Sequence, residues 1–159
     1  MNGFKRGLDF LRSEAIFNEK CLPTDVAVYL VCALCADVPE DGFDYEGRAL
    51  TLIRKVLWWA CYTERYGKTS ATRAFADFKP VLELLKDDEA TVKCDLFDEV
   101  HYPLPTVDEI VLSGWPGRKD RLPRATLATA LRADGHDFAD GNQALAESLG
   151  RREYHHIFP

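Results

Sequence analysis

Residues 45–67, YEGRALTLIRKVLWWACYTERYG, are the longest stretch of the chain with one clear periodicity. Their apolar side chains recur at spacings of three and four, which places them on one face of an α-helix. That stripe consists of Leu50, Ile53, Val56, Leu57, Ala60 and Cys61. The charged residues that lie mostly off it are Arg54, Lys55, Glu64 and Arg65. The run predicts a long amphipathic helix that ends at Gly67.

Two helices are predicted before this run. Residues 4–17 carry one apolar face, formed by Phe4, Leu8, Leu11 and Ala15. Residues 22–42 are apolar on most sides, which is typical of a helix at the centre of a domain. Either Thr24 or Asp25 caps its start, and the stretch from Pro39 to Gly42 ends it.

The pattern after residue 67 is helical with interruptions. A helix with Ser70 as its cap is predicted next, and Pro80 is expected to kink it or split it in two. Residues 91–105 break the helical rhythm and predict an extended connection. Thr106 and Glu109 then form a capping box in front of a short helix. Two further helices are predicted, over residues 120–132 and 142–150.

Together these patterns predict a mainly α fold, a bundle-like domain of several helices with a short extended or β segment near the C-terminus. The β segment is expected at residues 151–159, where Tyr154, Ile157 and Phe158 suit a strand. With 159 residues, of which 47% are hydrophobic, the chain is long enough for one domain with a real core.

Composition excludes some classes of function. The formal net charge of −6 disfavours a freestanding nucleic-acid-binding protein, which is usually basic. No stretch approaches the roughly 18 apolar residues of a membrane span, and the N-terminus lacks the apolar core of a signal peptide. A cytoplasmic protein with no membrane partner is therefore expected, and its five cysteines should be reduced thiols.

Cys32 and Cys35 have the C-x-x-C spacing of zinc and redox sites. A zinc ribbon needs a second such pair, and a thioredoxin-like site needs a preceding strand and a turn at the pair. Because the flanks are apolar and helix-periodic, the sequence favours buried core thiols. A metal-binding or redox module that uses this pair is the alternative.

Three other motifs concern phosphates and bases. Residues 67–69, G-K-T, match the end of a P-loop, but Tyr62 occupies the position of that motif's first glycine. A P-loop also needs a strand before it, and the segment before this one is helical. Adjacent helix positions point about 100° apart, so at least one of Trp58 and Trp59 should lie in the core. Core packing is expected for Trp58, and base stacking is the alternative for the pair. A basic cluster beside Trp115 is either a solvated face or a set of nucleic-acid phosphate contacts, formed by Arg118, Lys119, Arg121 and Arg124.

The last nine residues, RREYHHIFP, carry two adjacent histidines, His155 and His156. Adjacent side chains on a strand point in opposite directions, so one imidazole can hold a divalent cation while the other activates water. On spacing alone, two exposed histidines in a polar tail are the competing interpretation.

Residues 153–159, EYHHIFP, resemble the opening strand of the His-Asn-His (ββα-metal) nuclease domain of GmrSD-type modification-dependent restriction and phage-defence proteins. The H-x-x-P signature of that family matches residues 156–159. Residues 52–78 resemble the helices that follow the family's ParB/sulfiredoxin-like nucleotide-hydrolysing domain, and residues 113–143 resemble its link into the nuclease finger. The resemblance extends from about Leu22 to Pro159.

This resemblance implies that His156 is the general base and that His155 is a metal ligand. It implies a helical domain over residues 1–133 and the start of a nuclease finger over residues 134–159, with residues 137–141 as the turn leading into it. The family's finger continues into a helix with an asparagine and another metal ligand. Its nucleotide-hydrolysing domain carries an Asp-Gly-Gln-Gln-Arg motif. Both features are missing from this sequence.

The expected function is therefore that of a fragment of a DNA-targeting endonuclease, from a degraded gene, a split gene or a trimmed chain. It would be a helical scaffold that couples nucleotide hydrolysis to the nuclease and does not cleave DNA efficiently alone. A divalent metal such as Mg²⁺ is expected only with a completed finger. The expected partners are DNA, a partner chain or the missing domains, and a second copy in a homo-oligomer. The alternative is a non-enzymatic helical protein-interaction module.

Overall fold

The computed structural model describes residues 3–19, 21–38, 48–87, 91–115, 120–136 and 140–143. Its helices are α1 (Gly3–Ser13), α2 (Asp25–Asp37), α3 (Leu50–Tyr62), α4 (Ser70–Lys86), α5 (Val107–Leu112) and α6 (Arg121–Arg132), with 3₁₀ turns at Glu64–Tyr66 and Asp95–Phe97. Within these ranges there is no strand, and an isolated antiparallel bridge joins His136 to Gln143. The predicted mainly α fold is confirmed.

Helices α1 and α2 pack closely because α1 presents glycine to its neighbour. A Cβ atom on Gly7 would lie 2.6 Å from the Cα and Sγ atoms of Cys32. One on Gly3 would lie 2.4 Å from the Cβ atom of Ala36. The predicted apolar face of this helix is only partly right, since Phe4 is exposed while Phe10 is buried. The glycine side of α1 faces α2, and this turns Phe4 toward solvent.

Helices α2 and α3 supply most of the core. Their buried residues are Ala27, Leu30, Val31, Cys32, Leu34 and Cys35 on α2, and Ile53, Val56, Leu57, Ala60 and Cys61 on α3. The predicted stripe of α3 is thus confirmed except at Leu50, which is half-buried. Both tryptophans are half-buried and pack against this core, as predicted for Trp58.

Helix α4 runs without interruption from Ser70 to Lys86, so Pro80 does not split it in two, and the alternative of a kink stays a prediction. Proline removes one backbone hydrogen bond from a helix interior. Packing compensates here, because the next residue, Val81, is fully buried in the core. The cap of this helix is Thr69, one residue before the predicted cap Ser70. Thr69, in the left-handed conformation with φ 47°, precedes Ser70, which is the first helical residue.

The C-terminal part of the described chain agrees with the sequence pattern. The capping box of α5 is present, since Thr106 Oγ1 accepts from the Glu109 N–H at 3.2 Å and a Glu109 carboxylate oxygen accepts from the Thr106 N–H at 2.8 Å. Helix α6 begins after Asp120 and ends at Arg132, as predicted. Residues 91–105 form no α-helix, and Leu96 anchors them in the core. The strand predicted for residues 151–159 lies outside the described residues.

Within the described residues, no helix is long and apolar enough to cross a membrane.

Candidate functional site

The two histidines predicted to act in catalysis, His155 and His156, lie outside the described residues, as do Arg118 and Lys119. The turn expected at residues 137–141 is described only at its end. There Gly141 has φ 68°, and its carbonyl oxygen lies 2.8 Å from His136 Nδ1. That contact and the neighbouring Asp134 carboxylate raise the pKa of His136.

The other two members of the predicted basic cluster are bound within the protein. Arg121 donates to the carbonyl oxygen of Cys61 at 2.6 Å and to the carboxylate of Glu64. Arg124 donates to the carbonyl oxygen of Leu22 at 3.1 Å. These bonds tie the start of α6 to the end of α3 and to the segment before α2. Within the described part of the chain, the guanidinium groups of Arg121 and Arg124 therefore have a structural role.

An open cleft of about 550 Å³ lies at the start of α6. Its lining includes Thr24 at the start of α2, Ser113 after α5, and the charged side chains of Glu64, Asp120 and Arg121. Two of these three charges are negative, and the positive one is paired with Glu64. The cleft is therefore poorly suited to a phosphate on the described residues alone.

Cys32 and Cys35 are buried on α2, as predicted from the helical periodicity around them. Burial raises the pKa of both thiols, that of Cys35 to about 11. A thiol that resists ionisation is a poor metal ligand and a poor nucleophile. Across the described residues, no three His, Cys, Asp or Glu side chains are grouped so that they could hold a metal ion. This geometry does not favour the metal or redox alternative.

A buried ion pair between Arg65 and Asp77 links the turn after α3 to α4. The guanidinium donates twice to the carboxylate, from Nε at 3.0 Å and from Nη2 at 2.8 Å. The hydroxyl of Tyr66 donates to the same carboxylate at 2.9 Å. The hydrogen bond to Asp77 raises the pKa of Arg65, while burial, followed by the nearby carboxylate, raises that of Tyr66.

The same arginine reaches the segment that leads to α5. Arg65 Nη1 donates to the hydroxyl of Tyr102 at 3.1 Å, and its Nη2 lies 3.6 Å from a carboxylate oxygen of Asp95. The guanidinium groups of Arg65 and Arg73 lie 4.9 and 5.7 Å from the centre of the Tyr102 ring. Arg65 was predicted to lie off the apolar stripe and is instead buried, because the chain leaves the α-helix before it.

A second buried carboxylate, that of Glu14, joins the end of α1 to α3 and α6. It accepts from Arg54 Nε at 2.7 Å and from Trp58 Nε1 at 3.0 Å. Arg132 Nε lies 2.9 Å from the same carboxylate. The Trp58 indole is thus engaged in a structural hydrogen bond. The apolar pattern of the first helix does not indicate Glu14, because the arginines that bind it belong to distant helices.

Trp59, the residue after Trp58, packs against the 3₁₀ turn Asp95–Phe97. Its ring meets that of Phe97 edge to face, with the ring centres 5.8 Å apart. Lys55 Nζ lies 5.0 Å from the Trp59 ring centre and 4.5 Å from that of Phe97. The indole Nε1 of Trp59 is buried and has no hydrogen-bond partner in the described structure. Within the described residues, both tryptophans therefore contribute to core packing.

Helix α5 differs from the other helices in having no buried residue. Val107, Val111 and Leu112 are 75%, 72% and 84% exposed. Leu104 before the helix and Trp115 after it are also exposed. We call these five residues the α5 face. An exposed apolar surface of this extent on a short helix is a candidate surface for contact with another protein.

The chain was also compared with known proteins. No family model, no curated protein and no solved structure matches it.

Proposed function

We propose that this chain is the helical scaffold of a DNA-targeting restriction or phage-defence endonuclease, coupling a nucleotide-hydrolysing domain to a His-Asn-His nuclease. The scaffold role is supported by the buried carboxylates of this chain, which bind arginines from other helices or turns. Glu14 and Asp77 each bind arginine from another part of the chain, and these pairs connect α1, α3, α4, α6 and the segment before α5. Side chains used in this way hold helices in fixed relative positions.

The resemblance supplies the identity of the domains that this scaffold would join. The stretches that carry it, residues 52–78 and 113–143, include most of α3, all of α6 and the part of α4 that carries Asp77. In the family these helices stand between nucleotide hydrolysis and DNA cleavage. A rigid helical unit suits that position, because a change at one end is passed on only where packed elements move together.

The nuclease chemistry in this proposal belongs to the two histidines of the C-terminal stretch. His156 would take a proton from the attacking water, and His155 would hold a divalent metal such as Mg²⁺. One histidine ligand does not fix a metal in a defined geometry, and positioning and charge stabilisation supply most of the rate. The chain alone is therefore expected not to cleave DNA efficiently.

A plasmid assay tests this proposal. Supercoiled DNA is incubated with the purified 159-residue chain and either Mg²⁺ or Mn²⁺, and nicked product is quantified on gels. Wild type is expected to give no more nicking than the His156→Ala variant. Metal-dependent nicking that disappears in His156→Ala but persists in the control His136→Ala would show an active nuclease and contradict an inactive scaffold.

The second candidate function, a non-enzymatic helical interaction module, is favoured by the exposed α5 face. The genomic DNA downstream of codon 159 separates the two candidates. An open frame encoding a helix with asparagine and histidine would support the nuclease scaffold. An immediate stop codon would favour the interaction module.

A further inference from the structure

The two arginines that bind Glu14 use only part of their hydrogen-bonding capacity there. Arg54 donates through Nε at 2.7 Å, and Arg132 Nε lies 2.9 Å from the carboxylate. Among the described residues, no Nη atom of either guanidinium group has a hydrogen-bond partner. Arg65 differs, because its Nε, Nη1 and Nη2 atoms all donate to other side chains. Arg54 and Arg132 therefore keep most of their N–H donors for another ligand.

The charge of this cluster is also unbalanced. Two guanidinium groups face one carboxylate, which leaves a formal charge of +1. Within the described part of the chain, no other carboxylate is paired with either arginine. At Asp77, by contrast, a single arginine forms the buried ion pair. One arginine is thus enough for a buried carboxylate in this protein, and the second one at Glu14 leaves a positive charge that an anion from outside can balance.

The position of the cluster makes it accessible to a ligand. The side chains of Arg54 and Arg132 are 36% and 42% exposed, whereas Glu14 is buried. The arginines belong to α3 and α6, and the shared carboxylate holds their guanidinium groups side by side. A ligand that binds them does not have to order two mobile side chains, which lowers the entropic cost of binding.

The surroundings of the arginine pair favour one class of ligand. The planar guanidinium group binds carboxylate and phosphate oxygens through parallel N–H bonds. Trp58 and Tyr62 follow Arg54 at intervals of four on the same side of α3 and are half-buried, with their ring centres 6.1 Å apart. Aromatic rings beside basic groups are typical of sites for single-stranded nucleic acid, because bases stack on the rings. A nucleotide offers the same two parts, so the rings favour phosphate over carboxylate.

We propose that Arg54 and Arg132 bind a phosphate group, carried by single-stranded DNA or by a nucleotide, and that Glu14 positions them for it. The inference rests on the proposed function, because a scaffold between nucleotide hydrolysis and DNA cleavage needs contact with one of these ligands, and that function leaves the place of contact open.

Fluorescence anisotropy with the full chain tests this site. The probes are a fluorescein-labelled single-stranded oligonucleotide and a fluorescent ATP analogue, and the one that binds more tightly identifies the source of the phosphate. Affinity for the oligonucleotide should fall as the salt concentration rises, because binding to its phosphates releases counterions.

The main variant is Glu14→Gln/Arg54→Gln/Arg132→Gln. It removes both arginines without leaving an uncompensated buried charge, so the fold should be retained, and circular dichroism checks this. The Kd for the bound probe should rise about tenfold, because two charge-assisted contacts are lost. Arg132→Lys is a milder second variant, which keeps the charge beside Glu14 but lacks the planar fork, and it should also bind more weakly than wild type.

Two controls separate a binding role from a structural one. Glu14→Gln keeps both arginines and raises the positive charge of the cluster, so it should bind at least as tightly as wild type. Lys79→Gln/Lys86→Gln removes two positive charges from exposed positions on α4 and should bind like wild type.

Four results would overturn the proposal. Neither probe could bind, the triple variant could bind like wild type, the lysine control could lose as much affinity as the triple variant, or Glu14→Gln could do so. The third result would mean that any positive charge serves, and the fourth that the arginines only hold helices together. All four concern binding, whereas failure of the scaffold role would appear in the plasmid assay as nicking that depends on His156.

Discussion

Glu14 and Asp77 are both buried carboxylates that are 1% exposed, and both are bound by arginine. They differ in the exposure of the arginines that bind them. The Arg65 side chain beside Asp77 is 7% exposed, whereas Arg54 and Arg132 beside Glu14 are 36% and 42% exposed. One site buries a whole ion pair, and the other buries a carboxylate beneath guanidinium groups that still reach water.

This difference decides what remains when the carboxylate is removed. A guanidinium group that water reaches can be hydrated in place of its lost partner. A buried one cannot, and an uncompensated buried charge is among the most destabilising defects in a protein. The two sites look alike as lists of hydrogen bonds, but Asp77 should contribute more to stability than Glu14.

The largest expected effect is that of Asp77→Ala. It leaves the Arg65 charge and the Tyr66 hydroxyl buried without their acceptor, so the free energy of unfolding should fall by about 3–5 kcal/mol. Urea titration followed by circular dichroism measures this change. Glu83→Ala, on the exposed side of the same helix, is the control and should change stability by about 0.5 kcal/mol or less. An equal loss in both variants would contradict the assigned role of Asp77.

Glu14→Ala should have a smaller effect, a loss of about 2–3 kcal/mol. Water can reach Arg54 and Arg132 in this variant, and the main residual cost is the Trp58 indole N–H without its acceptor. The same titration measures it. If Glu14→Ala proved as destabilising as Asp77→Ala, partner exposure would not be the property that separates the two sites.

The smallest effect concerns Cys94, a thiol close to Asp77, and it depends on pH. Burial raises the pKa of Cys94 from 9.0 to about 11. Between these values the unfolded chain loses the thiol proton while the folded chain keeps it, so this contribution to stability is complete below pH 9 and is lost as pH rises toward 11. At pH 10 the loss should be about 1.4 kcal/mol for this thiol.

Urea titrations at pH 8 and pH 10 test the contribution of this thiol. Cys94→Ala should show a smaller fall in stability between the two pH values than wild type shows. Glu83→Ala, which removes an exposed side chain of α4 and leaves Cys94 in place, should keep the wild-type fall. An unchanged pH dependence in Cys94→Ala would mean that this thiol ionises as readily in the folded chain as in the unfolded one.

Much of the fold follows from sequence patterns that act over a few residues. The α3 stripe, the capping box of Thr106 and Glu109 and the bounds of α6 all depend on spacings of three or four. The site residues were harder to foresee. A rotation of 100° per residue predicts Arg65 off the stripe, but α3 ends at Tyr62 and Thr63 is extended, with ψ 160°. After that break the helical count no longer gives the direction of the side chain.

The sequence by itself determined the positions of most helices, the apolar stripe of α3 and the burial of Cys32 and Cys35, because backbone hydrogen bonding and hydrophobic periodicity are local. Only the tertiary structure decided how charges are paired. Glu14 meets Arg54 across 40 positions of the chain, and Tyr102 meets Arg65 across 37. It also decided that the apolar side of α5 faces outward. Neutralising a buried charge or covering an apolar face requires a partner from a distant segment, and local spacing carries no information about which one.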